Sequence, residues 1–433
     1  MSLKNSYLLK NGQVFLDNEF KRVDIFIKDG LIKDIGNNLD VEAIVIDCTD
    51  KIITSSFIDV HVHFRTPGFS YKEDLVTGSK AAIAGGYSHV FEMPNTSPCL
   101  DDYETIQEHL KQIEKEALCY VYPFSAASIN LAGKELVDVD KIAELNIAGF
   151  SDDGKGIQST ELMKDILIKA GKYYKIVSAH CEDESEFIGG MGAINQGTTS
   201  KENDMLGINN KSEYAMIQRD IDIIEEIHGK YNYQYHVCHV STRESLEIIK
   251  KAKEKGYKVS CEATPHHLIS DESIIDINNS NYKMNPPLRS KEDVNALIAG
   301  LNDGSIEVIA TDHAPHSEEE KNQSIESAPF GIIGLELAFS LLNTFLVQEG
   351  KVSLETILNA LTSNPARLFK VDNRLEIGKD AHINIIDLNK KITYTKENIK
   401  SKSKNTFYLN QELVGQVETV FFKDKVYHNK EEK

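Results

Sequence analysis

Asp59-Val-His61-Val-His63 closes an apolar run that starts at Phe57, and the rest of the chain can be ordered around it. Side chains alternate faces along a β-strand, so His61 and His63 point the same way, with Asp59 beside them. Two imidazoles at a strand end make half of a metal site. Alone the pair says little, because His-X-His also occurs on ordinary strand surfaces. Four later segments end in the same manner: Gly149-Phe-Ser-Asp-Asp153-Gly, Val177-Ser-Ala-His180-Cys-Glu, His236-Val-Cys-His239-Val-Ser and Ile309-Ala-Thr-Asp312-His-Ala-Pro-His316. Each is an apolar run that breaks into His or Asp as it stops, a pattern that predicts a metal-dependent enzyme.

The runs fall into a regular order. Candidate strands are 57–63, 89–94, 118–124, 147–152, 175–180, 234–239, 258–263 and 306–312, and amphipathic helical segments follow them, such as Ser212–His228, Arg243–Lys255 and Leu354–Leu361. Eight such βα units predict a (β/α)8 barrel over residues 55–367, whose catalytic groups sit at the C-terminal strand ends. The His and Asp clusters end strands one, four, five, six and eight. The two chain ends read differently. Residues 1–54 carry short strands with Asn11-Gly12 and Asp29-Gly30 at hairpin positions, and 368–433 carries further strands around His382–Asp387 and Val417–Tyr427. Neither end is long enough to bury a core alone, so together they predict one small composite β-sandwich.

Composition narrows the class. The chain is 433 residues long, 41% apolar and 27% charged, as an ordinary globular protein is. Its net charge of −19, from 48 basic and 67 acidic residues, argues against a nucleic-acid footprint, which needs clustered Lys and Arg. An anionic substrate would therefore need locally placed positive charge. No signal-peptide pattern opens the chain and no run approaches a membrane span, so no membrane partner is expected. The six cysteines include no Cys-X-X-Cys, which fits a reduced, cytoplasmic protein. Cys181 and Cys238 adjoin candidate ligands but should face away and pack as small apolar groups.

His61, His63, Asp153, His180, His239 and Asp312 supply four imidazoles and two carboxylates. For two Zn²⁺ ions this gives roughly three to four ligands each if a carboxylate bridges, leaving room for a shared water or hydroxide. Nitrogen and oxygen donors without thiolate suit Zn, and Mn or Co could substitute. Asp59 either orients a ligating imidazole or is structural. Between Asp152 and Asp153 local alternation lets only one point inward, and does not choose; the other caps the Gly154 turn. Arg65, two residues past His63, can face the same mouth and clamp a carboxylate bidentately. Asn95 and Asn285 sit in proline-flanked loops after strands two and seven, as amide donors or as turn formers. His313 and His316 flank Ala314-Pro315, and one of them could reach a substrate carboxylate. The polar stretch Ser317–Ala328 reads either as a lid over the mouth or as a solvated loop.

Asp59-Val-His-Val-His-Phe-Arg65, Met93-Pro-Asn-Thr96, Ser151-Asp-Asp-Gly154, Ala179-His-Cys-Glu182, His239-Val-Ser-Thr242, Met284-Asn-Pro-Pro287 and Thr311-Asp-His-Ala-Pro-His316 together resemble the dihydroorotases of the long bacterial type, in the amidohydrolase superfamily. The resemblance covers about residues 7 to 427. It implies a barrel with a β-sandwich and a binuclear zinc site on His61, His63, Asp153, His180, His239 and Asp312, and so favours Asp153 over Asp152. It implies no carboxylated lysine, because Asp-Asp-Gly stands where many relatives carry one, although Lys155 is close by. Implied substrate contacts are His63, Arg65, Asn95, Asn285, His316, Phe330 and Gly331, with Arg65, Asn95 and His316 on the carboxylate and Asp312 as the catalytic base and acid. The substrates implied are N-carbamoyl-L-aspartate and L-dihydroorotate. A homodimer and association with aspartate transcarbamoylase are further partners to consider. Alternatives are a hydantoinase or allantoinase, which would need no anion clamp, and a non-catalytic scaffold, which would have lost ligands. Thr66, where a Glu is usual, and Phe124-Ser-Ala-Ala-Ser128, where Gly-Ala-Ile-Thr is usual, depart from the family pattern.

Overall fold

In the computed structural model, which describes residues 5–429, a strand lies at each of the eight expected places. They are Phe57–Val62, Tyr87–Glu92, Tyr120–Pro123, Gly149–Phe150, Ile176–Ala179, Tyr235–Val237, Val259–Ala263 and Val308–Ile309. The first three pair in parallel, and so do the fourth to the eighth. Parallel bridges Ser125–Phe150 and Val62–His313 join the third strand's end to the fourth and the first to the eighth strand's end. Every strand thus neighbours the next in chain order. All six residues of the first strand are buried, as expected where a parallel sheet is covered on both faces.

Helices follow the strands, among them Leu75–Ala84, Tyr103–Glu116, Thr160–Lys172, Lys211–Ile227, Arg243–Glu254, Lys291–Asn302 and Leu354–Leu361. Asp74, Asp102, Ser159, Thr242, Ser290 and Ser353 cap six of them by accepting a backbone N–H of the first turn, which satisfies donors a helix start leaves open. Their apolar faces and the strands build the largest core.

The chain ends form two sheets. Ser6–Lys10, Asp24–Lys28, Leu31–Gly36 and Ile44–Asp47 make one; Gln13–Leu16, Glu19–Lys21, Ile52–Ser55, His382–Thr393, Glu412–Phe422 and Lys425–His428 make the other. Leu9, Ile25, Ile27 and Ile32 of the first meet Val14, Ile53, Ile383 and Phe421 of the second in one core. Residues 1–4 and 430–433, the outermost part of the expected composite unit, lie outside the described residues. The Asp29-Gly30 hairpin is present, with φ of 51° and 76° between paired Lys28 and Leu31. The Asn11-Gly12 hairpin is not. Asn11 does take a positive φ of 67°, but the strands before and after it belong to different sheets. A Cβ on Gly12 would lie 2.8 Å from Ile53 and 2.9 Å from Cys48, so this turn lets the chain cross between sheets beneath a packed neighbour.

Candidate metal centre and substrate pocket

The six expected ligands converge. His61 Nε2 lies 3.4 Å from Asp153 Oδ1 and 3.5 Å from Asp312 Oδ1. His63 Nε2 is 2.9 Å from Asp312 Oδ1 and 3.6 Å from Asp153 Oδ2. On the other side His180 Nδ1 and His239 Nε2 approach Asp153 Oδ1 to 3.6 and 3.7 Å. All six side chains are buried. His239 and Asp312 reach the cluster with φ of 32° and 47°, a left-handed backbone that ordinary residues adopt only when surroundings impose it. These turns also end the sixth and eighth strands earlier than the apolar runs suggest.

Of the acidic pair, Asp153 faces the cluster. Asp152 turns away and accepts the backbone N–H groups of Ala127 at 2.8 Å and Ser128 at 3.0 Å, together with the Ser128 hydroxyl. The unusual Ser128 therefore anchors the strand-four turn, in place of the expected cap on Gly154. Lys155 is exposed.

The residue that orients an imidazole of the cluster is not Asp59. The pairing register of the first strand shifts between Asp59 and Val62, a bulge that breaks strict alternation. Asp59 consequently accepts the His61 backbone N–H and the Thr311 N–H and hydroxyl, locking strand one to strand eight. Glu262, next to last in the buried strand Val259–Ala263, takes the orienting role. It accepts His61 Nδ1–H at 2.7 Å, His236 Nε2–H at 3.0 Å and the His239 N–H at 3.2 Å. Sequence reading passed over it; its one signal was a charge inside a buried run.

Electrostatics follow from this crowding. Burial opposes charge on His61, yet Asp153, Asp312 and Glu262 hold its pKa well above the usual imidazole range. Burial also opposes charge on His180, which Asp153 and Glu182 nonetheless push up to about 10. Against their own burial, Asp153 and Asp312 are held below the usual carboxylate range by His61 and its neighbours. His61 Nε2 and Asp153 Oδ1 are buried without a hydrogen-bond partner. The donor atoms of His61, Asp153 and His239 lie within 4.8 Å of one another, as do those of His61, His63 and Asp312. Orphaned, converging nitrogen and oxygen donors suit a cation, whose binding requires neutral imidazoles and ionised carboxylates. Cys238 also comes within this reach of His61 and Glu262, but burial pushes its thiol up to about 12 and it packs among Ile58, Val60 and Val308. Cys181 is buried too, beside the Tyr235 hydroxyl at 3.3 Å.

Glu262→Gln keeps the shape and removes the charge that fixes His61. Its metal affinity should fall about 10- to 100-fold with the fold intact, read by chelator competition; an unchanged affinity would strip Glu262 of this role.

The expected substrate contacts border the cluster. Arg65 is buried, has φ of 62°, and donates from Nε to Pro315 O at 3.2 Å. Its Nη2 is 3.2 Å from His316 Nε2. No carboxylate lies in ion-pair range of it among the described residues, whereas Arg219, Arg243, Arg289 and Arg374 each have one. His316 donates from Nε2 to Phe330 O at 2.8 Å, and Lys72 Nζ stands 3.4 Å from its Nδ1. Burial and then Arg65 and Lys72 keep this imidazole well below its ordinary pKa. Asn95 accepts from His63 Nδ1 at 2.9 Å and Asn285 donates to Glu182 at 2.9 Å, so both amides are tied to residues of the cluster's rim. Gly331 bends with φ of 122° against Ala314. His313 is buried against other partners, its Nδ1 accepting the Gly334 N–H at 3.1 Å and its Nε2 lying 3.5 Å from Glu73. The stretch 317–328 is less polar in effect than in composition. Ile325 and Ala328 are buried, and Lys321 Nζ donates to Pro329 O, Gly331 O and Lys283 O.

Residues 52–426 match the family described as the amidohydrolase family. A dihydroorotase of Fusobacterium nucleatum is 43% identical across 94% of this chain and 95% of its own length, and one of Listeria monocytogenes is 40% identical across 98% and 99%. The chain belongs to the dihydroorotases of the amidohydrolase family. Among solved structures, an L-hydantoinase from Arthrobacter aurescens superposes with a TM-score of 0.84 over 97% of this chain and 95% of its own, at 23% identity. A dihydropyrimidinase from Brevibacillus agri gives 0.82 at 20% identity. At that distance the likeness speaks for the shared α/β fold, while the dihydroorotase relatives speak for the reaction class, a cyclic-amide hydrolase. No helix among the described residues is long and apolar enough to cross a membrane.

Proposed function

We propose that this enzyme interconverts N-carbamoyl-L-aspartate and L-dihydroorotate with loss or gain of water, in de novo pyrimidine (UMP) synthesis. The observation that carries the reading is Arg65: a buried guanidinium without a carboxylate partner among the described residues, beside His316 and two residues past His63. A buried cation left unpaired is costly, and a substrate carboxylate is the group that would complete it. A hydantoin ring carries no such carboxylate, and allantoin carries none either.

The architecture is read as a (β/α)8 barrel over 55–367, with 1–54 and 368–433 as one composite β-sandwich. The ligand set is read as His61, His63, Asp153, His180, His239 and Asp312 for two Zn²⁺. Arg65, Asn95 and His316 would hold the substrate carboxylate; His63, Asn285, Phe330 and Gly331 would line the ring. When bound, the metal supplies Lewis acidity toward water and the ring carbonyl. In the hydrolytic direction Asp312 accepts a proton from the attacking water at its carboxylate. It then returns that proton to the amide nitrogen as the carbon–nitrogen bond breaks. Ring closure is the reverse, with Asp312 first taking the proton from the ureido nitrogen. Six free cysteines support a reduced, cytoplasmic setting. A non-catalytic scaffold on aspartate transcarbamoylase is disfavoured because all six ligands converge.

One assay separates the readings: turnover of dihydroorotate, hydantoin and allantoin, with metal content measured on the same sample. Dihydroorotate should be preferred by orders of magnitude; equal or better turnover of hydantoin would transfer the enzyme to the other class.

A further inference from the structure

Asn405 lies in the connection between the two long strands His382–Thr393 and Glu412–Phe422, and it is buried. Its Oδ1 accepts the His316 N–H at 3.0 Å, and its Nδ2 donates to Ala314 O at 3.0 Å and Gly331 O at 3.1 Å. Its own carbonyl accepts the Ile333 N–H at 3.0 Å. One residue thus ties together the two segments, 314–316 and 331–333, that flank the substrate end of the pocket. Those segments already touch, since a Cβ on Gly331 would sit 2.5 Å from Ala314 Cβ. Asn405 fixes their spacing.

The residues before it are fastened to other parts of the molecule. Ser401 Oγ and the Lys402 N–H go to Glu73, the Lys400 and Ser401 N–H groups go to Glu336, and Ser403 Oγ donates to Lys72 O at 2.6 Å. The connection is therefore held without Asn405's amide. That amide is directed at the backbone of His316 and Gly331 instead.

We infer that Asn405 is a positioning residue for the substrate carboxylate: it sets where His316 stands relative to Arg65 and Gly331. The inference rests on the proposed function, which makes His316 and Gly331 substrate contacts. The whole metal-loaded enzyme and three variants test it. Asn405→Ala should raise KM for dihydroorotate about tenfold, since small displacements of binding groups weaken the fit steeply, with kcat within about twofold and metal content unchanged. Asn405→Asp, which keeps the acceptor for His316 but loses both donations, should also raise KM, and it decides the matter if the alanine variant does not fold. Ser401→Ala should lower the unfolding temperature and leave KM where it was. Unchanged KM in both Asn405 variants would overturn the inference. So would a joint fall of kcat, affinity and metal content in step with stability. A wild-type enzyme that does not turn over dihydroorotate would overturn the functional reading itself, and this inference with it.

Discussion

Asp312→Asn should leave a folded protein that still holds most of its metal but turns over about 10³-fold more slowly or worse, the range in which proton transfer by a placed carboxylate acts. The argument is geometric. Asp312 is buried at the end of strand eight, with Oδ1 2.9 Å from His63 Nε2 and 3.5 Å from His61 Nε2. Its backbone is bent into φ 47° to put it there. Surrounding imidazoles, His61 and His63 first, hold its carboxyl below the usual carboxylate range in spite of burial. Asparagine preserves the shape and one oxygen donor and cannot accept that proton. Because the lost interaction exists only while the proton moves, kcat and kcat/KM should fall together. Steady-state kinetics beside elemental analysis checks this. Activity within tenfold of wild type, at full metal content, would remove the base role.

The parts of the molecule legible in the sequence were those in which local chemistry and long-range order coincide. A strand covered on both faces is mostly apolar, so Phe57–Val62 and its seven successors stood out as runs. A polar residue at the end of such a run has to face something, which exposed five candidate ligands and, at strand four, the pair Asp152 and Asp153, between which only the family resemblance chose. Register and crossing were not legible. The bulge between Asp59 and Val62 cannot be read from alternation, so the choice between two roles for Asp59 stayed open until its bonds to Thr311 were seen. Glu262 was hidden because it sits inside a buried run, where a charge survives only by pairing, here with His61 and His236. Asn11-Gly12 has the turn chemistry of a hairpin, but that chemistry is the same when the chain steps to another sheet. Asn405 belongs to a segment without apolar periodicity, and the partners of its side-chain amide lie 74 to 91 residues away in sequence.

Arg65→Lys should raise KM for dihydroorotate about 10- to 100-fold and change kcat much less. Arginine presents a planar fork that meets both oxygens of a carboxylate, and lysine offers a single point charge on a flexible stem. The site depends on that fork being fixed in place. Arg65 is held by φ 62° and by its Nε bond to Pro315 O, with Nη2 turned toward His316. A lysine has no group to replace the Nε bond, so the new ammonium would also be less confined. Hindered binding of the carboxylate should appear as lost affinity for any substrate that carries one. Hydantoin, which lacks the carboxylate, supplies the control: its residual turnover should be the same in Arg65→Lys and wild type. An unchanged KM for dihydroorotate would take Arg65 out of the clamp. Equal losses for hydantoin and dihydroorotate would mean instead that Arg65 supports the metal cluster, whose Asp312 and Asp153 are the charges that act on it most strongly.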